Sequence, residues 1–282
     1  MSVTVFLAVL FAAALHAVWN ALVKGASDKT LNMTLVILGQ SFAGGVVLFF
    51  VPPVAPETWP WIAVAIFLHG GYQIFLLFAY RIGDFSQVYP LARGSAPLMV
   101  TAVSVLVLGV ELSFWELLAI GLIACGILSL TLVRRSDGQR APRAAAYALV
   151  TGCFIAGYTL IDGLGAQVSG SPVAMFSWIA LGNFVTFGAF MLWKHPGDLA
   201  GLPRNFNILA FIGGIASYVA FAIVMWAFTH APIPLVAALR ETSIAFAVLI
   251  GVLIFRERLD LIKLAATMLT ISGAALLRLA RA

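Results

Sequence analysis

Apolar positions run along the chain in blocks of bilayer length, separated by short clusters of charge, proline and glycine. The blocks fall near 3–23, 31–51, 60–80, 86–109, 114–133, 144–164, 172–193, 206–228, 233–255 and 260–279. Each is close to the roughly 20 residues a helix needs to cross a hydrocarbon core about 30 Å thick. The pattern predicts ten transmembrane helices. Strands of a membrane barrel would instead read as segments of about ten residues with alternating character, and the blocks here are continuously apolar. The first block reaches Lys24 with no basic region ahead of it, so it is expected to be a retained span and not a cleaved signal peptide.

The most basic connector, "RRSDGQRAPR" from Arg134 to Arg143, follows the fifth span and divides the chain into two units, 1–138 and 139–282. Sliding the second unit back by 146 residues superposes Tyr218 on Tyr72, Phe221 on Phe75, Trp226 on Tyr80 and Glu257 on Glu111. A shift of 147 pairs Arg240 with Arg93 and Gly273 with Gly126, and a shift of 139 pairs Tyr158 with Trp19. Differences in loop length account for the changing offset. Five spans per unit is an odd number, so the two halves must run in opposite directions through the bilayer. The expected fold is therefore an all-α integral membrane protein, ten transmembrane helices arranged as two inverted five-helix repeats around a central cavity, a plan typical of transporters.

Composition agrees. The 282 residues are 62% hydrophobic and 10% charged, with a mean hydropathy of +1.06, against about a quarter charged in a soluble domain. The net charge of +5 and pI near 9.5 do not point to nucleic acid, because the basic residues gather in short loops. Loops after odd-numbered spans hold Lys24, Lys29, Arg81, Arg134, Arg135, Arg140, Arg143, Lys194, Arg204, Arg256, Arg258 and Lys263, and loops after even-numbered spans hold none. Only the C-terminal tail, with Arg278 and Arg281, dissents. Positive charge marks the cytoplasmic side, which places both termini outside. Cys125 and Cys153 lie in apolar runs without metal-ligand spacing and read as small hydrophobes.

Several stretches carry a family likeness. "LVKGA" closes the first span, "AYRIGDFSQVYPLARGSAP" joins the third to the fourth, "VELSFWELLAIGLIACG" opens the fifth, and "LRETSIAFAVLIGVLIFRERLD" looks like the same module in the second half. With these, essentially the whole chain resembles the drug/metabolite transporter superfamily, in its EamA-type branch, and most of all the bacterial exporters of aromatic and other neutral amino acids. The resemblance implies a basket of ten helices in the bacterial cytoplasmic membrane, its cavity lined by the first, third, fourth, sixth, eighth and ninth. It also implies the superfamily's alternatives, multidrug or cationic-compound efflux or another metabolite carrier. The small multidrug antiporters carry a glutamate in their first helix, whereas this first helix has His16 and no carboxylate.

Candidate substrate-binding residues are the polar and aromatic ones inside spans. Arg93 stands between Pro90 and Pro97; proline frees backbone carbonyls, which a membrane tolerates only beside protein or water. Its charge either faces inward toward a partner or substrate, or snorkels to the cytoplasmic surface. Arg240 and Glu241 are adjacent in the ninth span and so cannot pair well with each other; Glu241 reads as a partner for an arginine of the opposite half or as a proton carrier. His16 and Asn20, four apart, share a face with Trp19, either lining the cavity or joining helices by hydrogen bonds. His69, Tyr72, Gln73 and Tyr80 repeat the pattern in the third span, although Tyr80 also fits an interfacial belt. Tyr158, Tyr218 and Trp226 complete the set as repeat mates.

Rings and amides with few charges suit a zwitterionic or neutral amphipathic solute. A strongly anionic one would call for clustered Lys and Arg. The partners expected are a small-molecule substrate, an amino acid or related metabolite, and membrane lipid, with no nucleic acid and the chain compatible with acting as a monomer. No cofactor, metal or catalytic residue is expected. An intramembrane enzyme would need His16, His69, Glu241 and Asp162, the last near the end of the sixth span, to form a nucleophile and base at recognisable spacing, and they do not. No phosphate-binding loop is present, so transport would draw on a gradient. A C-terminal reporter pair, one fluorescent only in the cytoplasm and one enzymatically active only outside, is expected to give signal from the external reporter alone.

Overall fold

The computed structural model describes residues 1–24, 29–82, 85–130, 142–194, 197, 202, 206–253, 256 and 261–280; side chains at 22–24, 29–30, 77, 80–82, 85–87, 89 and 142 are not among those described. Arg134, Arg135, Arg140, Arg204, Arg258 and Glu257, the boundary near 138 and the side chain of Tyr80 therefore lie outside it, as do the side chains of Lys24, Lys29 and Arg81.

Without water to satisfy peptide groups, a spanning segment must bond to itself, and the described segments are helices. They are α1 (Val3–Lys24), α2 (Lys29–Val47), α3 (Trp59–Ile82), α4 (Phe85–Leu106), α5 (Phe114–Ser129), α6 (Pro142–Val168), α7 (Pro172–Lys194), α8 (Ile208–Phe228), α9 (Ile233–Arg240), α10 (Ser243–Leu253) and α11 (Leu261–Leu279). Among the described residues seven helical runs are long and apolar enough to cross a membrane, and three shorter apolar ones, Leu31–Val47, Pro90–Leu106 and Phe114–Ser129, occupy the remaining expected spans. The chain is a multi-pass membrane protein. Its polarity is turned outside in: Phe49 and Leu106 are 87% and 82% exposed, while Arg93 and Glu241 are 6% and 1% exposed.

Local signals set the helix ends. Ser113 and Glu116 form a reciprocal capping box at α5: the Ser113 hydroxyl accepts from the Glu116 amide at 3.3 Å, and the Glu116 carboxylate accepts from the Ser113 amide at 2.8 Å. Asn207 caps α8 by accepting from Leu209 N–H at 3.0 Å. Pro172 opens α7 just after Gly170, whose φ of +65° turns the chain.

The ninth span departs from the expected continuous helix. It stops at Arg240 and restarts at Ser243. Across the gap Glu241 N–H donates to Ala238 and Thr242 N–H to Leu239 at 3.1 Å each, and Ile244 N–H donates to Glu241 at 3.1 Å. These are three-residue bonds of the tighter 3₁₀ kind, so the charged pair sits at a break in the span.

Side-chain size decides how closely helices approach. α2 crosses α8 where Gly39 meets the Phe211 carbonyl and Gly214 meets that of Val36, with no room for a Cβ. α5 crosses α11 at Gly126 and Gly273, where an added Cβ would lie 2.8 Å from the carbonyls of Ala266 and Ala119 respectively. α3 packs on α6 and α7, α1 on α8, α9 and α10, α4 on α6 and α5, and α2 on α7. Gly126→Val and Gly273→Val should each force the α5–α11 crossing apart at a cost of about 1–3 kcal/mol, seen as a lower melting midpoint in detergent. Gly121→Ala, which meets nothing within 4 Å, should leave the midpoint unchanged or raise it.

Candidate functional site

The two arginines anchor the interior. Arg93 of α4 donates from Nε and from a terminal nitrogen to the two carboxylate oxygens of Glu241, at 2.8 and 3.0 Å. This is the two-pronged arrangement that guanidinium geometry permits. Of the two sequence-level readings of Arg93, the geometry is that of an inward, paired side chain. Arg240 stands beside the pair, with a terminal nitrogen 3.6 Å from Glu241, and its guanidinium carbon lies 5.5 Å from the Phe221 ring and 6.0 Å from the Tyr158 ring. Ring faces attract a cation at these distances. Among the described residues the Nε of Arg240 has no hydrogen-bond partner.

Tyr158 also meets a second pair of ionisable groups. His69 of α3 stacks on the Tyr158 ring with centroids 4.1 Å apart, and its Nε2 is 2.9 Å from Oδ2 of Asp162. α6 extends to Val168, so Asp162 lies six residues inside it and not at its end. Gln167, which donates to the Phe228 carbonyl at 3.1 Å, ties the added turn to α8. Asp162 is 2% exposed, and its Oδ1 has no partner among the described residues.

Between these groups is a cavity lined by His16, Trp19 and Asn20 of α1, Gln40 of α2, His69, Tyr72 and Gln73 of α3, Arg93 of α4, Tyr158 of α6, Phe176 and Asn183 of α7, and Ser217 and Phe221 of α8, with Met33, Val36 and Ile37 below them. The space open to water is ≈ 80 Å³, room for several molecules at about 10–15 Å³ each. A solute of amino-acid size would enter only as helices part. The polar groups of α1 bond within their own helix: Trp19 donates to His16 Nδ1 at 3.3 Å, and Asn20 to the His16 carbonyl at 2.7 Å. Their faces are thereby left to the cavity. An apolar groove on the outer side, lined by Phe42, Val46, Phe49 and Trp178 between α2 and α7, offers only hydrocarbon contacts.

Eight of the thirteen candidates thus line one cavity, and Arg240 and Glu241 flank it. Two stand elsewhere. Tyr218 turns toward α7, its hydroxyl 2.6 Å from that of Ser177. Trp226 packs on His230, 4.5 Å between centroids, near the end of α8. Tyr80 cannot be placed, its side chain lying outside those described. Gln40, Asn183, Ser217, Phe176 and Phe221 were not singled out for the cavity from sequence, and α2 and α7 were not expected to line it. A signal exists: "LGQ" at 38–40 and "LGN" at 181–183 stand 143 residues apart and put an amide at the same place in the second and seventh spans. Gln40 donates to Ser217 at 2.8 Å, and the buried Oδ1 of Asn183 has no partner among the described residues.

Residues 143–279 match the EamA-like transporter family. The chain is also similar over 99% of its length to 96% of a solved structure described only as "Crystal structure of protein", with a TM-score of 0.75 and 16% identity; this likeness concerns the fold alone. A comparison with curated proteins finds no match.

Because both partners are buried, Arg93→Met should strand the Glu241 carboxylate at a cost of about 3–5 kcal/mol, whereas Arg93→Met with Glu241→Leu should recover most of that loss. Melting midpoints of the two single variants and the double in one detergent check this. Equal destabilisation by the single and double variants would contradict it.

Proposed function

We propose that the chain is a secondary transporter that exports aromatic and neutral amino acids, or closely similar metabolites, across the bacterial cytoplasmic membrane by alternating access between two inverted five-helix halves. One observation carries this reading: the cavity is lined by rings and amides and carries charge of both signs, from the arginines with Glu241 and from the His69–Asp162 pair. In their ordinary ionised forms Arg93, Arg240 and Glu241 sum to one positive charge, and Asp162 behind His69 supplies one negative charge. A zwitterion fits that polarity. Its carboxylate turns toward the arginines, its ammonium toward His69 and the vacant acceptor of Asn183, and its side chain lies against Trp19, Tyr72, Phe176 and Phe221.

The inverted-repeat part of the reading is supported by how helices pair. Replacing each span by the one five further along turns the contact of α3 with α6 into that of α8 with α1, and the contact of α2 with α8 into that of α7 with α3. The glycine crossing behaves the same way: Gly126 meets Ala266 and Gly273 meets Ala119, each residue 147 positions from its mate. Reciprocal contact of this kind is what a two-fold relation between halves produces. The family match to residues 143–279 covers the second unit and lends weight to a transporter function. Alternating access would rock the halves about the cavity, and the Arg93–Glu241 bond, which joins one half to the other, would have to open or rotate with them.

The test is counterflow in proteoliposomes loaded in turn with each amino acid and, as the competing class, with a quaternary ammonium compound. Saturable exchange of labelled phenylalanine or another neutral amino acid is expected; exchange of the ammonium compound alone would transfer the protein to the multidrug class. Trp19→Ala and Tyr72→Ala should each lower the exchange rate about tenfold, the equivalent of roughly 1.4 kcal/mol of lost contact. Arg93→Lys should impair exchange nearly as much as Arg93→Ala, because lysine keeps the charge and loses the fork.

A further inference from the structure

The contact between His69 and Asp162 is unexplained by packing. Under the repeat offsets of 146 and 139 residues the same two places in the mate helices are Ile215 and Val23, both apolar. In sequence, then, the places in α8 and α1 that correspond to His69 and Asp162 hold no ionisable residue. Burying a carboxylate costs several kcal/mol unless it is fully satisfied, and Asp162 is satisfied at one oxygen only among the described residues. Intramembrane ionisable groups of this kind are functional by default. His69 lines the cavity while Asp162 lies behind it, so the imidazole stands between a buried negative charge and whatever occupies the site.

We propose that the His69–Asp162 pair is a proton-binding site, and that one proton bound there and the ammonium group of the substrate exclude each other, making the carrier a proton antiporter. This rests on the amino-acid reading above and adds its coupling ion. With the pair deprotonated, the imidazole is neutral, the carboxylate is charged, and this end of the cavity attracts an ammonium group. With one proton added, imidazolium faces carboxylate, the pair is neutral, and the positive imidazolium repels an ammonium group. The proton taken up from one side leaves on the other, and no other bond forms or breaks. Histidine is suited to this because its charge changes near neutral pH. The titratable and charged groups that line the cavity with the pair are His16 from α1, Tyr72 from α3, Arg93 from α4 and Tyr158 from α6, with Arg240 and Glu241 of the broken ninth span beside them; the lining residues of α7 and α8 are Phe176, Asn183, Ser217 and Phe221, none of them titratable. Arg93 and Glu241 neutralise one another at 2.8 Å, and both Arg240 and His69 lie against the Tyr158 ring, at 6.0 and 4.1 Å from its centroid.

The experiment uses the full chain in proteoliposomes with labelled phenylalanine, and with the equimolar twenty amino acids if phenylalanine alone is not exchanged. A proton gradient is imposed in each direction. Wild type should accumulate label on the acidic side, at least about tenfold over the ungraded control, the reciprocal of proton and substrate coupling. Asp162→Asn keeps an acceptor for the imidazole N–H but gives up the charge that draws the ammonium group, so at saturating label it should exchange more slowly than wild type while losing accumulation altogether. Accumulation on the alkaline side, or undiminished accumulation by Asp162→Asn, would overturn the proposal and leave the carrier reading intact. Absence of exchange for every amino acid would remove both. A substrate-free arm is the infrared difference spectrum of purified protein between about pH 5 and 8: bands lost in Asp162→Asn are expected, and a spectrum identical in the two proteins would overturn the proton site by itself.

Discussion

A bidentate bond between Arg93 and Glu241 holds the interior in register. Each of these residues alone would be intolerable inside a bilayer-embedded bundle, since an unpaired charge there costs several kcal/mol. Together they form a neutral, directional clasp whose two hydrogen bonds fix α4 against the break between α9 and α10. That clasp positions Arg240 over the rings of Tyr158 and Phe221. Tyr158 in turn stacks on His69, which reaches Asp162. One chain of contacts therefore runs from α4 through the broken span and α6 to α3, and the cavity is the space it leaves.

The order of strengths explains why so much of the molecule can be apolar and still specific. Lipid is as apolar as leucine, so burying leucine in the bundle gains little. Specificity comes instead from glycines that let backbones touch, as where α2 meets α8 and α5 meets α11, and from a few polar contacts that have no better partner in hydrocarbon. Gln40 with Ser217 and Ser177 with Tyr218 are of this sort.

Long apolar periodicity made the spans legible from sequence, because a bilayer imposes both length and composition. The pairing of Glu241 with a distant arginine could also be anticipated, since adjacent Arg240 and Glu241 point apart on a helix. Three features were hidden. The break after Arg240 carries no proline or glycine of its own: "LRETS" looks helical, and only the pull of the ion pair and the 3₁₀ bonds reveals it. Asp162 looked terminal because "AQVSG" resembles a loop, yet Gln167 finds the Phe228 carbonyl and the helix continues. Gln40 and Asn183 were overlooked because a lone amide in an apolar run reads as a packing residue until its mate, 143 positions away, is set beside it. Tyr218 and Trp226 show the opposite failure: equal spacing in sequence gives a residue's place along a helix but not the direction of its side chain, and these two stand outside the cavity.

The interrupted ninth span makes one crossing serve two sets of neighbours. A 3₁₀ turn advances about 120° per residue against 100° in an α-helix, and rises about 2.0 Å against 1.5 Å. Over Glu241 and Thr242 this rotates and lifts everything that follows, so α9 presents its side chains to α4, α5 and α1, while α10 presents a different stripe to α1 and α11. An uninterrupted helix could satisfy only one of those alignments. The span is built like a crankshaft: its two throws are set at an angle, and the charged residues occupy the journal between them.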